Sequence, residues 1–168
     1  HRYWRIDTSD EGSGDDRWQL MRDGSFVALD WPKLGDISWV EAKRESRKKL
    51  KSLLTQLHPN QDTPVDRECS QIVQFVAEIA EGDIVLAANN TTILGIGRIG
   101  GSYEYHSEVD FPHQRPVEWL TCNEWQMPES SEGLQSSVRE LAKFNVNLLA
   151  IEQRIQSPPK PVTGGADP

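Results

Sequence analysis

Apolar residues recur along this chain in two periods, and the periods mark out its elements. Tyr3-Trp4-Arg5-Ile6 is an aromatic and β-branched run of the kind that suits a pleated surface, and it predicts a first strand. An acidic, Gly/Ser-rich loop from Asp7 to Asp16 follows. Trp18, Leu20 and Met21 predict a short helix stopped by Gly24. Phe26-Val27-Ala28-Leu29 predicts a second strand ending at Asp30-Trp31-Pro32, where proline has no ladder donor. From about Trp39 to Leu57 the period changes: Leu50, Leu53, Leu54 and Leu57 form one helical stripe. After a break from Pro59 to Pro64, Ile72, Phe75, Val76 and Ile79 predict a second helix, with Gly82 as its stop. Asp83 to Ala87 and Ile93 to Ile99 read as strands joined by a turn at Asn89-Asn90, because asparagine tolerates left-handed geometry. Gly95 and Gly97 inside the second of these predict a bulge or the close approach of another group. Tyr103 to Phe111 is a loop or an edge strand, and Arg115 to Leu120 a further strand. Ser137 and Glu140 fit a capping box opening a last helix, with Leu141, Phe144, Leu148, Ile151 and Ile155 along one face.

Strands and helices in this mixed order predict an α+β fold, a curved sheet or small β-barrel flanked by helices. The length of 168 residues suits one domain, placed at residues 1–156. Residues 157–168, rich in Pro and Gly, read as a linker tail. Six tryptophans are many for this length, and about two thirds are expected in the core. The net charge of −8 speaks against a nonspecific nucleic-acid coat but not against a specific binder with a basic face. Cys69 and Cys122 are far apart, without metal-ligand spacing, and suit a reducing cytoplasm. No run approaches the 18 or so apolar residues of a membrane span.

Enzyme signatures fail residue by residue. There is no GxxxxGK[ST] loop and no GxSxG elbow. Gly95-x-Gly97-x-x-Gly100 has dinucleotide-binding spacing, but its glycines lie within or at the end of a strand and not at a strand-to-helix turn. His106 and His113 either meet across a hairpin or are surface or interface groups; neither has the further ligands a metal needs. The chain therefore reads as a binding domain without catalytic residues or a cofactor.

Three features have the chemistry of binding. Trp31, at a strand end, either stacks on a base, an interaction of about 1–3 kcal/mol, or packs under a loop. Tyr103 and Tyr105 share parity, so in an extended segment they face one way, either as a second aromatic wall or as part of a half-buried edge strand. Lys43, Arg47 and Lys51 align on the first long helix, with Arg44 and Lys48 beside them, and either track phosphates or form a solvated face balanced by Glu41 and Glu45. Arg98, His113 and Arg115 are further candidates for phosphate contact.

The opening Tyr3-Trp4-Arg5-Ile6, then Ala28-Leu29-Asp30-Trp31 with Leu34-Gly35-Asp36, resembles EVE-like domains of McrB-type modification-dependent restriction proteins. So do Gly82 to Ala87, Ile93 to Ile99, Gly101-Ser102-Tyr103-Glu104-Tyr105 and His113 to Leu120, in that order and at that spacing. The resemblance covers roughly residues 2 to 125 and implies a PUA-like (EVE/YTH-like) fold that holds a modified base, flipped out of double-stranded DNA, in an aromatic cage. It implies that Trp31 is the cage tryptophan, that Tyr103 or Tyr105 closes the opposite wall, and that Asp30 and Asn89 are candidates for the polar edge of the base. Where this chain has tyrosines, the family often has tryptophan. By the same resemblance a GTP-hydrolysing AAA+ motor follows the tail and works with a separate nuclease subunit in phage defence. Two other readings stand beside it: a YTH-like reader of methylated RNA, and a protein-interaction module. The identity of the modification, 5-methylcytosine, its hydroxymethyl form or N6-methyladenine, is left open.

Overall fold

The computed structural model describes residues 1–8, 16–29, 31, 34–58 and 64–156. Asp30 and the 157–168 tail, both singled out above, lie outside the described residues. The order is β1 (Tyr3–Asp7), α1 (Asp16–Gly24), β2 (Phe26–Leu29), α2 (Arg44–Leu57), α3 (Val65–Val73) running into a π-helical turn (Gln74–Glu78), β3 (Ile84–Asn89), β4 (Thr92–Ile99), β5 (Glu104–Tyr105), β6 (His113–Thr121), β7 (Val138–Glu140) and α4 (Asn145–Gln156). Among the described residues the strands form one curled, mixed sheet in the order β2-β6-β4-β3-β1-β7, with β5 added on β6. β1 runs parallel to β3, and the other pairings are antiparallel. The architecture is α+β, a curved sheet with helices packed on it, as the order of elements predicts. None of the described helices is long and apolar enough to cross a membrane.

Three apolar clusters hold the layers. One gathers Trp4, Ile6, Met21, Val27, Leu29, Phe75 and Val85 on one face of the sheet, and a second packs Ile84, Leu86, Ile96 and Trp125 against Leu141 and Ile151. The third joins Leu50 and Leu54 of α2 to Ile72 and Val73 of α3 and to Leu34, Ile37 and Val40 of the preceding loop. All six tryptophans pack against these clusters, and Trp4 and Trp125 are buried outright.

Gly95 and Gly97 have the steric role their pattern suggests. A Cβ on Gly95 would lie 2.6 Å from Cη2 of Trp18, and one on Gly97 would lie 2.4 Å from Cγ2 of Val117. The two indoles they admit, Trp18 and Trp119, meet edge to face with centroids 5.0 Å apart. A register shift between Ile96 and Gly97 supplies the predicted bulge.

The last third corrects the sequence reading. Val138–Glu140 is a strand, pairing Ile6 with Val138 and Trp4 with Glu140, so Ser137 and Glu140 do not open a helix. Val138 is buried in the core, and α4 begins only at Asn145. Pairing to a strand over 130 residues away overrides the local capping signature. α2 likewise starts at Arg44 and not near Trp39. The helix carrying Ile72 and Phe75 ends in a π turn, closed by Ile79 N–H donating to Gln74 O (2.9 Å).

Gly97→Ala is expected to cost roughly 1–3 kcal/mol through overpacking, read as a lowered urea midpoint. An unchanged midpoint would mean that Val117 and Trp119 are not seated on this backbone.

Candidate functional site

Strand register assembles the candidate site. The first half of β6 lies between β2 and β5, so Leu29, His113 and Tyr105 fall in one row across three strands. Trp31 follows two residues after Leu29, and Tyr103 lies two residues before Tyr105. The row brings three half-buried rings around the imidazole of buried His113: Trp31 at 6.0 Å, Tyr103 at 5.9 Å and Tyr105 at 5.4 Å between centroids. Phe75, on the π turn, supports Trp31 edge to face at 6.1 Å. The structure thus brings together the three aromatic residues singled out in the sequence, and adds His113 and Phe75.

Hydrogen bonds fix the cluster. Nε2 of His113 lies 2.9 Å from the carbonyl oxygen of Trp31, which can only accept, so Nε2 carries a proton. In the neutral imidazole Nδ1 then accepts from the Tyr103 hydroxyl, 2.7 Å away. The Tyr103 oxygen in turn accepts from the Ile37 N–H at 3.4 Å. Burial, with the Asp36 and Tyr105 charges adding to it against the Ile37 hydrogen bond, pushes the Tyr103 phenol up to about 12. The proton of Tyr103 is therefore committed inside the protein. The half-buried rings of Trp31, Tyr103 and Tyr105 remain partly open to solvent.

Arg115 locks the frame. Its Nε and Nη2 donate to Gly101 O at 3.0 and 2.9 Å, and its Nη1 donates to Phe75 O and Ile79 O at 2.9 and 2.8 Å. Phe75 O is open to this bond because Ala80 N–H, the donor a continued π turn would supply, goes to Asp83 Oδ2 instead (2.9 Å). Arg115 and His113 are both turned inward and almost fully buried, which corrects the expectation that they meet phosphates. An inward guanidinium must have its donors satisfied, and here carbonyls do it.

The remaining candidates are dispersed. Asn89 pairs with Thr92 at the opposite end of the sheet and lines a different groove of about 650 Å³ with Trp18, Arg22 and Glu124. β6 alone separates the two ends by eight residues, about 26 Å at the usual strand rise. Asn89 is therefore not an edge group for the Trp31 cluster. Arg98 faces Glu118 across β4–β6 at 3.7 Å. Lys43 precedes α2 and pairs with Glu41 (3.0 Å), Arg47 with Glu78 (3.7 Å) and Lys51 with Asp66 (3.0 Å). Arg44 and Lys48, one turn apart and exposed, have no carboxylate partner among the described residues. With Arg47 and Lys51 they line a groove of about 510 Å³. Lys49 lies over the Trp39 ring at 4.2 Å. α2 packs its Leu50 and Leu54 into the apolar cluster that Trp31 and Tyr103 also touch, so the helix that carries the basic residues adjoins the aromatic cluster. Among the described residues no three His, Cys, Asp or Glu gather as a metal site.

Tyr103→Phe removes the link between His113 and Ile37 and is expected to cost about 1–2 kcal/mol at pH 8. Because the folded phenol is raised above its ordinary 10 to about 12, its stabilisation is complete below pH 10 and is lost as the pH rises toward 12. The gap in urea midpoint between wild type and Tyr103→Phe should therefore narrow between pH 8 and 11.5. A constant gap would contradict the buried, bonded phenol.

Comparison with known proteins adds the following. The fold is similar to that of the Mmi1 YTH domain solved in complex with RNA, at 12% identity and a TM-score of 0.44, over 92% of this chain and 80% of that one. A second structure of the Mmi1 YTH domain is 10% identical with a TM-score of 0.43, over 93% of this chain and 98% of that one. No curated protein matches the sequence. The family model described as "Domain of unknown function (DUF8426)" matches residues 4–142, and the chain belongs to that family.

Proposed function

We propose that this domain reads a modified base in DNA, taking the flipped nucleotide between Trp31 and the tyrosines and following the flanking backbone with α2. The observation that carries the reading is the gathering of three half-buried aromatic rings around His113, beside a helix that, with its N-cap Lys43, holds six of the chain's eighteen Lys and Arg between Lys43 and Lys51. The resemblance of the sequence to EVE-like domains of McrB-type proteins supports it. In that setting the domain would target an AAA+ motor and its nuclease partner to modified DNA, with no chemistry of its own.

The energetics are consistent with this. Extruding a base costs a few kcal/mol, and stacking returns about 1–3 kcal/mol per base. A buried methyl adds about 0.8 kcal/mol, roughly fourfold in affinity. Shape and edge contacts must supply further discrimination. The exposed ion pairs of Lys43 and Lys51 are each worth only about 0–1 kcal/mol, so phosphates can replace their carboxylates. Arg44 and Lys48 need no such exchange.

Fluorescence anisotropy at low salt, with one duplex in unmodified, 5-methylcytosine, hydroxymethylcytosine and N6-methyladenine forms, tests the reading. One modified form should bind tighter than the unmodified duplex. Trp31→Ala and Tyr105→Ala should each weaken that form about 5- to 100-fold while unfolding stays cooperative. Arg44→Ala and Lys48→Ala should each lower the salt slope by about 1 and leave the modified-to-unmodified ratio alone. Equal binding of all four duplexes by wild type and Trp31→Ala would sink the proposal. Preference for a matched methylated RNA would transfer it to RNA.

A further inference from the structure

We infer that Asp36 selects the class of base the aromatic cluster takes: one that offers an exocyclic amino group, as methylated cytosine and adenine do, and not a thymine-like edge. The inference rests on the base-reading function proposed above. Base specificity needs a polar group at the cluster's rim, and the two central polar groups, the Tyr103 hydroxyl and the His113 ring, are engaged with each other and with the backbone. The Tyr103 hydroxyl points its proton at His113 Nδ1, and His113 Nε2 serves the Trp31 carbonyl. Neither can donate to a ligand.

Backbone geometry sets Asp36 beside this cluster. The Ile37 N–H that reaches the Tyr103 oxygen belongs to the peptide bond between Asp36 and Ile37. The next residues, Ile37 and Val40, are buried in the cluster that Trp31 and Tyr103 also pack on, so this loop is anchored. Asp36 itself is exposed, and its charge is felt by the Tyr103 phenol. One carboxylate oxygen, Oδ1, accepts the Ser38 N–H at 2.9 Å and orients the group. Among the described residues no hydrogen bond engages Oδ2.

A carboxylate only accepts, so it favours an edge that presents N–H donors. Cytosine presents N4–H and adenine N6–H, and acidic side chains accept from the cytosine amino group. Thymine turns two carbonyl oxygens toward such a group, flanking its single N3–H. A methyl on the amino nitrogen or on C5 leaves at least one N–H in place, so the carboxylate and the aromatic walls can act on the same modified base.

The Ser38 contact alone would make Asp36 a turn former, and asparagine or serine there preserves a turn acceptor without the charge. The test therefore compares wild type, Asp36→Asn and Asp36→Ser on single-stranded deoxyoligonucleotides differing only at one central residue. One pair is 5-methylcytosine against thymine, which share the methyl. The other is N6-methyladenine against 6-methoxypurine, which replaces N6–H by an ether oxygen. An abasic centre gives the baseline. Wild type should favour the amino-bearing member of at least one pair on the order of tenfold, and both variants should bring that ratio near one without weakening the other member. Binding above baseline with equal affinity within both pairs, or a ratio kept by both variants, overturns the role of Asp36 while base reading stands. Binding of all four bases at the abasic level overturns base reading itself.

Discussion

The guanidinium of Arg115 ties three parts of the chain together at one corner. It donates to Gly101 O, at the head of the segment that carries Tyr103, and to Phe75 O and Ile79 O, at the π turn that carries the support for Trp31. Burial would lower the affinity of this group for its proton, and the Asp83 charge opposes that. Asp83 works on the same corner. Burial pushes its carboxyl up, but N–H donors from Arg2, Ala80 and Trp4 outweigh that and hold it below the usual carboxylate range. By taking the Ala80 N–H, Asp83 leaves the Phe75 carbonyl to Arg115. The buried cation and anion thus share the backbone groups of one helix end between them, and the placement of Phe75, and so of Trp31, follows.

The aromatic cluster is a product of this frame and of strand register. The row Leu29–His113–Tyr105 fixes where three strands end, and His113 ties the carbonyl of one wall, Trp31, to the hydroxyl of another, Tyr103. A site built in this way satisfies its central polar groups, the Tyr103 hydroxyl and the His113 ring, internally and leaves its three rings half-buried. That is the chemistry of holding a flat, apolar-faced ligand by stacking. The net charge of −8 for the whole chain contrasts with the cationic run at the start of α2, on the helix that packs against the same apolar cluster as Trp31 and Tyr103.

Much of this was legible in the sequence wherever the signal was local. The leucine stripe of α2, the strand runs from Ile84 and Thr92, and the space kept by Gly95 and Gly97 all depend on neighbours within a few residues. Trp31, Tyr103 and Tyr105 were legible because strand ends and side-chain parity are local too. What failed depended on long-range pairing. Ser137 and Glu140 carry a helix-start signature, but Val138 completes an edge against β1. Asn89 reads as a turn residue in the sequence, but it ends β3, and only the β3–β4–β6 register reveals that it lies at the far end of the sheet. Arg115 and His113 looked like phosphate ligands because cations are usually outside. Their shared parity with buried Val117 along β6 was the available sign that they point inward.

The central claim is that the rings around His113 receive a base, and it is tested most directly by titrating free modified nucleosides into protein labelled on its aromatic side chains. 5-Methyl-2′-deoxycytidine and N6-methyl-2′-deoxyadenosine would be followed separately by NMR. The account predicts that one of them shifts the ring signals of Trp31, Tyr103 and Tyr105 together and has its own methyl resonance displaced upfield by the rings. Shifts confined to residues near Asn89 and Trp18, or no shifts at the Trp31 cluster with either nucleoside, would contradict it.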